Sequence, residues 1–377
     1  MQTYDRYLIR LFVRVLVVCF VSITGLYVVI DACSNAGEFM DYGQQQNGLL
    51  PVLADYYSSR VPWFFDQISA LLTLIAAMFA IAWLKRSNEM TALMAAGIPS
   101  SRLVRPLIFA ALAVSLMAAA NREFMIPKVR DKLTRNAQDW LGERARTVEP
   151  VIDNQTGVLI NGRYTFANEQ RIERPRFRLH RLLGEFGRCL EASNAYYEPP
   201  CDQHAGGYRL REVNSQQIEG VGTAILDGLP VIYSPLDTEW LKPDECFVVS
   251  AVTFDQLSGG SQWRQLASTV DLIKGTRNPS LSFGLDARVT IHSRFVQPML
   301  DMSLFLIGLP LVLSQKNRNI FVAAGWCLLL VVGFIMILMI CHAAGGSGGL
   351  LSPVSAAWLP LLIFAPLATA VSYPIWE

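Results

Sequence analysis

Residues 319–376 contain no aspartate, glutamate, lysine or arginine. A stretch of that length without charge has to be hidden from water, in the core of a large protein or in lipid. It divides into two apolar runs, 319–341 and about 355–376. Each is near the roughly 20 residues that cross about 30 Å of hydrocarbon. Four similar runs precede them, at about 8–30, 63–84, 103–121 and 295–315. Six such runs with polar breaks between them are hard to bury in one another, so the pattern predicts six membrane-spanning helices. The first run has a basic start, as a signal peptide does. It continues to Ile30 with no Ala-x-Ala site after it, and is read as a retained helix.

Charge is concentrated between the runs. Residues 122–294 carry 44 of the 63 acidic and basic residues. The chain therefore divides into helices at 1–121, a polar middle at 122–291 and helices at 292–377. The fold class expected is α-helical membrane protein with an inserted β domain, three spans on each side. The net charge of +1 gives no argument for nucleic acid.

Lysine and arginine in short loops set orientation. Arg6, Arg10 and Arg14 stand at the start, Lys85, Arg86, Arg102 and Arg105 after the second run, and Lys316 and Arg318 after the fourth. If six helices alternate, all three groups fall on one side, which is then cytoplasmic. The segment 31–62 has Arg60 alone against Asp31, Glu38, Asp41 and Asp55, and 342–354 has no lysine or arginine. The middle domain is then outside.

That domain begins with helical periodicity through Ile126, Val129, Leu133, Ala137, Trp140 and Leu141, which Pro150 ends. Short alternating stretches follow: GVLINGRYTFA (157–167), GYRLREV (207–213), LPVIYS (229–234) and CFVVSAVTF (246–254). Turn formers separate them, which predicts a β-sandwich or jelly roll. One further helix is expected near 261–275. Cys189 and Cys201 would close a small loop if the compartment is oxidising, so a disulfide between them is open.

The chemistry of catalysis is sparse. Gly-Lys never occurs, so no P-loop can cradle a nucleotide. No H-E-x-x-H or Cys/His metal spacing is present, and neither cofactor nor metal is expected. GGSGG (345–349) satisfies the nucleophile-elbow pattern with His342 nearby. An elbow needs a strand before it and a helix after it, whereas here a predicted membrane helix precedes it, so a glycine turn is the simpler reading. Charged residues in or beside spans are costly and so informative. Arg14, Asp31 and Asp301 are the candidates for contacts along a substrate pathway. The plain alternatives are snorkelling for Arg14, contact with water for Asp31 and structural pairing for Asp301.

The segment from Lys85 to Leu107 lies on the basic side. Ala92, Leu93, Ala95 and Ala96 favour helix, Asn88 can cap its start, Glu89 suits the N-terminal dipole, and Gly97 with Pro99 ends it. A short helix with small residues suits docking of a cytoplasmic motor. NEMTALMAAGIPSSRLVRPLI resembles the coupling segment of the lipopolysaccharide-export permeases, the LptF/LptG (YjgP/YjgQ) family. Glu89 falls on the family's acidic position and Gly97 on its glycine. YDRYLIRLFVRVLVV and SITGLYVVID resemble its first span, with DRY leaning towards LptG. HSRFVQPMLDMSLFLIGLPLVL (292–313) resembles its fourth, with Arg294, Pro298, Gly308 and Pro310 in matching places. Where some LptG members carry a lysine three residues before the aspartate, this chain has Val28.

The resemblance implies a permease subunit of an ABC transporter in the bacterial inner membrane, with a periplasmic β-jellyroll. It implies a second LptF/LptG-like permease, two copies of a separate LptB-like ATPase, and LptC- and LptA-like bridge proteins. Lipopolysaccharide or a related glycolipid would be the substrate. Glu89, Met90, Ala92, Leu93, Met94, Ala96 and Gly97 would contact the ATPase. The alternatives are an exporter of another envelope lipid, a membrane serine hydrolase using Ser347 and His342, and a scaffold or sensor with an external ligand-binding domain.

Overall fold

The computed structural model describes residues 3–45, 48–135, 146–201, 204–214, 218–226, 228–278, 280, 285–314, 320–346 and 351–376. The chain forms two compact units, Met1–Val129 with Gly284–Glu377, and Arg130–Phe283.

The first unit is helical. Its elements are α1 (Thr3–Ser34), α2 (Ala36–Gln45), α3 (Leu49–Arg86), α4 (Glu89–Ala95) and α5 (Ser100–Ala120), then a π-helical turn (Asn121–Met125) and α6 (Ile126–Leu133), which leads into the second unit. After the second unit come α9 (Leu285–Ser314), α10 (Ile320–Gly346) and α11 (Pro353–Trp376). Among the described residues, five helices are long and apolar enough to cross a membrane: Tyr4–Ser34, Leu49–Arg86, Ser101–Leu133, Gly325–Gly345 and Pro353–Tyr373. One continuous core joins Leu8 and Phe12 of α1, Leu74 to Leu84 of α3, Leu107 and Ala111 of α5, Leu300 to Leu309 of α9, Val331 of α10 and Phe364 of α11. Gly308 sits where α9 meets α3, and a Cβ there would collide with the Leu74 side chain.

The segment 31–62 is mostly helical, contrary to its polar composition. α2 forms, and α3 begins at Leu49, well before the apolar run. The reason is aromatic packing. Phe39 of α2 is buried against Tyr56 and Tyr57 of α3, with ring centroids 5.0 and 6.1 Å apart. The Arg60 guanidinium lies over the Tyr56 ring at 3.5 Å.

The second unit is an antiparallel sheet of short strands. They are β1 (Arg146–Thr147), β2 (Val151–Asp153), β3 (Val158–Ile160), β4 (Tyr164–Phe166), β5 (Arg171–Glu173), β6 (Arg176–Arg178), β7 (Cys189–Glu198), β8 (Gly207–Val213), β9 (Ala224–Leu226), β10 (Leu229–Tyr233) and β11 (Glu245–Val249). The main path runs β1-β4-β5-β7-β8-β11-β10-β9, and β2-β3-β6 joins it at β7. The long β7 serves both branches, with Cys189–Glu191 on β6 and Asn194–Tyr196 on β5. Alternation holds on β8: Tyr208 and Leu210 enter the core while Arg209 and Arg211 point away from it to Glu198 and Glu245.

One expectation is corrected here, and the open question of a disulfide is answered. Instead of one helix near 261–275 there are two, α7 (Phe254–Leu266) and α8 (Thr269–Arg277). A capping box of Thr253 and Gln256 starts α7, and the Ser268 hydroxyl accepts from the Asp271 N–H to start α8. Cys189 and Cys201 are free thiols. An extended strand separates them, and at roughly 3.3 Å per residue β7 holds their Cα atoms far beyond the roughly 7 Å a disulfide spans. Of the predicted helical lead-in, Ala137, Trp140 and Leu141 lie outside the described residues.

Candidate functional site

Three groups of residues in the helical unit carry the functional argument. The first is α4. Its start differs from expectation: Asn88 is in the left-handed region at φ 58°, and its side chain makes no capping bond. Side-chain capping needs an extended residue at that position, so the cap is lost to the tight turn out of α3. Its end follows expectation. Gly97 has φ +80°, its N–H donates to the Met94 carbonyl, and the Ile98 N–H donates to the Leu93 carbonyl, at 3.0 and 3.1 Å. This pair of bonds is a Schellman closure, which favours glycine because no Cβ is strained there. Pro99 then starts the way into α5.

One side of α4 is attached to the bundle, with Met90 packed on the core. The other side is open. Thr91, Ala92, Met94, Ala95, Ala96 and Gly97 are exposed, and nothing lies within 4 Å of the place a Gly97 Cβ would occupy. The Glu89 carboxylate is half-exposed and accepts one long bond from the Tyr7 hydroxyl of α1, at 3.5 Å. Beside it, the Lys85 ammonium donates to the Leu313 carbonyl at the end of α9, at 2.8 Å. The start of α1, the end of α3, α4 and the end of α9 therefore share one end of the bundle. Arg6, Arg10, Arg86 and Arg102 belong to that end, while Lys316 and Arg318 lie outside the described residues.

The second group marks the far end. Arg122, in the π-helical turn, chelates Asp66 of α3: Nε donates to both carboxylate oxygens, at 3.0 and 3.1 Å, and an outer nitrogen lies 2.9 Å from Oδ1. The Asp66 side chain is 6% exposed, so this charge depends on its partner. Asn121 donates to the Pro62 carbonyl at 2.7 Å. At 1.5 Å per residue, Asp66 and Lys85 are about 28 Å apart along α3, close to the thickness of a bilayer's hydrocarbon core.

Asp301 lies between those limits. Its Oδ1 accepts from Gln297 at 2.8 Å and its Oδ2 from Ser115 of α5 at 3.2 Å. Its carboxylate thus faces α5 rather than an open helix face. Of the other two candidates, Arg14 is exposed on α1, whose opposite side buries Leu8, Phe12 and Leu16. Asp31 accepts from Tyr57 of α3 at 2.8 Å and from Asn35 at 3.3 Å, so it fastens α1 to α3 rather than facing water alone.

A family model described as "Lipopolysaccharide export system permease LptF/LptG" matches residues 6–374. The chain belongs to the LptF/LptG family. No individual curated protein matches it. Membership implies a lipopolysaccharide-export permease, a transport family and not a known enzyme family, in keeping with several apolar helices and a multi-pass membrane protein.

The second unit has a core and a cavity of its own. Ile160 and Val231, inward on alternation, are buried in its core. A cavity of about 140 Å³ is lined by Arg130, Arg146, Asp255 and Trp263 among others, and Arg130 and Asp255 pair across it at 2.9 Å. Burial, with Glu245 beside it, pushes the Cys246 thiol up, so it is no nucleophile. Ser347 lies outside the described residues, while His342 sits on α10. No group of three metal-ligating residues occurs among the described residues.

Sequence reasoning missed the Asp66–Arg122 pair, Ser115 and Tyr7. Asp66 did carry a signal, being an acid just inside the second apolar run. Its partner is 56 positions away, and one sequence gives no sign of that pairing.

Proposed function

We propose that this LptF/LptG chain is one permease subunit of an ABC-type exporter that lifts lipopolysaccharide, or a related glycolipid, out of the bacterial inner membrane. In this reading α9 is also a span, fourth in chain order and completing a set of six, its 30 residues being more than enough to cross. Both termini are cytoplasmic and the β domain is periplasmic. The functional divisions are 1–121 with the coupling helix, 122–291, and 292–377.

The observation that carries the reading is α4: an exposed, apolar, Schellman-closed helix opened by an acid, at the end of the bundle where Arg6, Arg10, Arg86 and Arg102 gather. A chain with no P-loop needs a motor, and this surface suits two copies of a separate LptB-like ATPase, one under each permease of a pair. Glu89, Met90, Ala92, Leu93, Met94, Ala96 and Gly97 form the contact. ATP hydrolysis then moves α4, and with it α1 and α3.

Glycolipid enters laterally beside α1, where Arg14 and the end marked by Asp31 border the pathway. Its tails need cover throughout, because each exposed CH₂ costs about 0.8 kcal/mol. The jellyroll-like β domain gives that cover and passes the tails to LptC- and LptA-like bridge proteins. The test is purification of the intact permease from native membranes with everything bound to it. A stoichiometric ATPase and co-purified glycolipid are expected. Recovery of neither, from a folded permease, overturns the reading in favour of a scaffold or sensor.

A further inference from the structure

We propose that Asp301 is a proton-binding site within the membrane: a neutral carboxylic acid that shares a small cavity with one water and closes a clasp between α5 and α9. The proposal rests on α9 being a span, and on neither the substrate nor the ATPase.

Asp301 is about 18 Å along α9 from the Leu313 carbonyl that Lys85 holds, and about 10 Å from Arg294 towards the other end. An acid there stands in hydrocarbon, where an ionised group persists only if paired. The bonds to it come from neutral groups, the Gln297 amide and the Ser115 hydroxyl. No ion pair reaches it among the described residues.

Every packed neighbour can be checked for charge. On α3, Thr73 lines the cavity, its hydroxyl donating to the Ser69 carbonyl at 2.7 Å, and Asp66 is chelated by Arg122. Glu123 follows Arg122 in the turn beyond α5. On α9, Arg294 stands about two turns away. α10 and α11 bring no acid, lysine or arginine, and His342 is near the far end of α10. On α1, Arg10 and Arg14 are exposed.

Ser115 Oγ lies 3.2 Å from Asp301 Oδ2 and 3.5 Å from the Pro298 carbonyl. Both are acceptors when Asp301 is ionised, and a hydroxyl has one hydrogen. One added proton resolves the competition. Gln297 donates to Oδ1, the acid O–H on Oδ2 donates to Ser115 Oγ, and the Ser115 hydrogen turns to Pro298. Asp301, Ser115 and Thr73 also line a cavity of about 10 Å³, the size at which one water fits, and that water offers the proton a second partner. Loss of the proton leaves a charge in hydrocarbon whose acting cation, Arg122, is already bound to Asp66, and loosens α5 from α9, so occupancy of the site sets how firmly the two helices hold.

Infrared spectroscopy of the intact permease in lipid nanodiscs at neutral pH reads this directly. Wild type should show the carbonyl band of a protonated carboxyl, and Asp301→Asn should lack it. Should Asp301→Asn fail to fold, Ser115→Ala keeps the acid and removes its partner, so the band should persist and move in frequency. A folded wild type with no such band, a band that survives Asp301→Asn, or a band unmoved by Ser115→Ala overturns the proposal. None of these outcomes depends on ATPase binding or lipid transport.

Discussion

Replacing Glu89 separates a docking surface from an ordinary exposed helix. Among the described residues, the Glu89 carboxylate has one direct bond, the long one from Tyr7. Such exposed contacts are worth about 0–1 kcal/mol, so Glu89→Ala should leave the melting temperature of the purified permease nearly unchanged. At a docked interface the same carboxylate would meet a basic group of the ATPase with water excluded. Truncating one member of such a pair costs about 2–5 kcal/mol, which at tenfold per 1.4 kcal/mol is roughly 30-fold or more in affinity. Glu89→Lys should be worse, because it adds repulsion to the loss. The assay is titration of the ATPase onto immobilised permease, with melting measured on the same samples. Wild-type affinity in Glu89→Lys would refute the docking role, and a fall in melting temperature that accounts for the lost binding would refute its separation from folding.

Three further outcomes follow from local geometry. Gly97→Ala places a Cβ in open space but at φ +80°; the left-handed region costs an ordinary residue about 1–2 kcal/mol, so α4 should fray and ATPase affinity fall while the bundle stays folded. Arg122→Ala leaves Asp66 buried without its partner and should destabilise the helical unit by about 3–5 kcal/mol, whereas Arg176→Ala, whose ion pair with Glu191 is more than half exposed on both sides, should cost under about 1 kcal/mol; thermal unfolding of both variants compares them. Photo-crosslinkers at Ile160 and Val231, both inside the β domain, should capture lipid in an ATP-dependent way, and capture unchanged without ATP would count against passage of acyl chains through that domain.

The helical frame was largely legible because lipid burial demands long uninterrupted apolar runs, and α1, α5, α10 and α11 each coincide with one. α2 and the start of α3 were not, since Phe39, Tyr56 and Tyr57 bury themselves among acidic neighbours. A spacing of three to four through Val52, Tyr56, Arg60 and Trp63 was nonetheless present. The closure of α4 at Gly97 could be read because one residue type serves that turn. The failed cap at Asn88 could not, because it depends on the backbone dihedral left by the end of α3. In the β domain, β8 falls where alternation places it, whereas β11 ends early: CFVVSAVTF alternates like one strand, but the strand stops at Val249 and Thr253 with Gln256 starts a helix. Long-range pairs such as Asp66–Arg122 and Ser115–Asp301 depend on how helices align, which local pattern does not encode.

The most direct measurement is ATP-driven extraction of glycolipid. Vesicles would contain the permease with its partner permease and ATPase, labelled lipopolysaccharide, and a soluble bridge protein as acceptor on the side of the β domain. Transfer to the acceptor should require ATP and disappear in Glu89→Lys, while a vesicle phospholipid stays behind. Transfer that proceeds equally without ATP, or that carries the phospholipid as readily, would contradict an ATP-coupled lipopolysaccharide exporter.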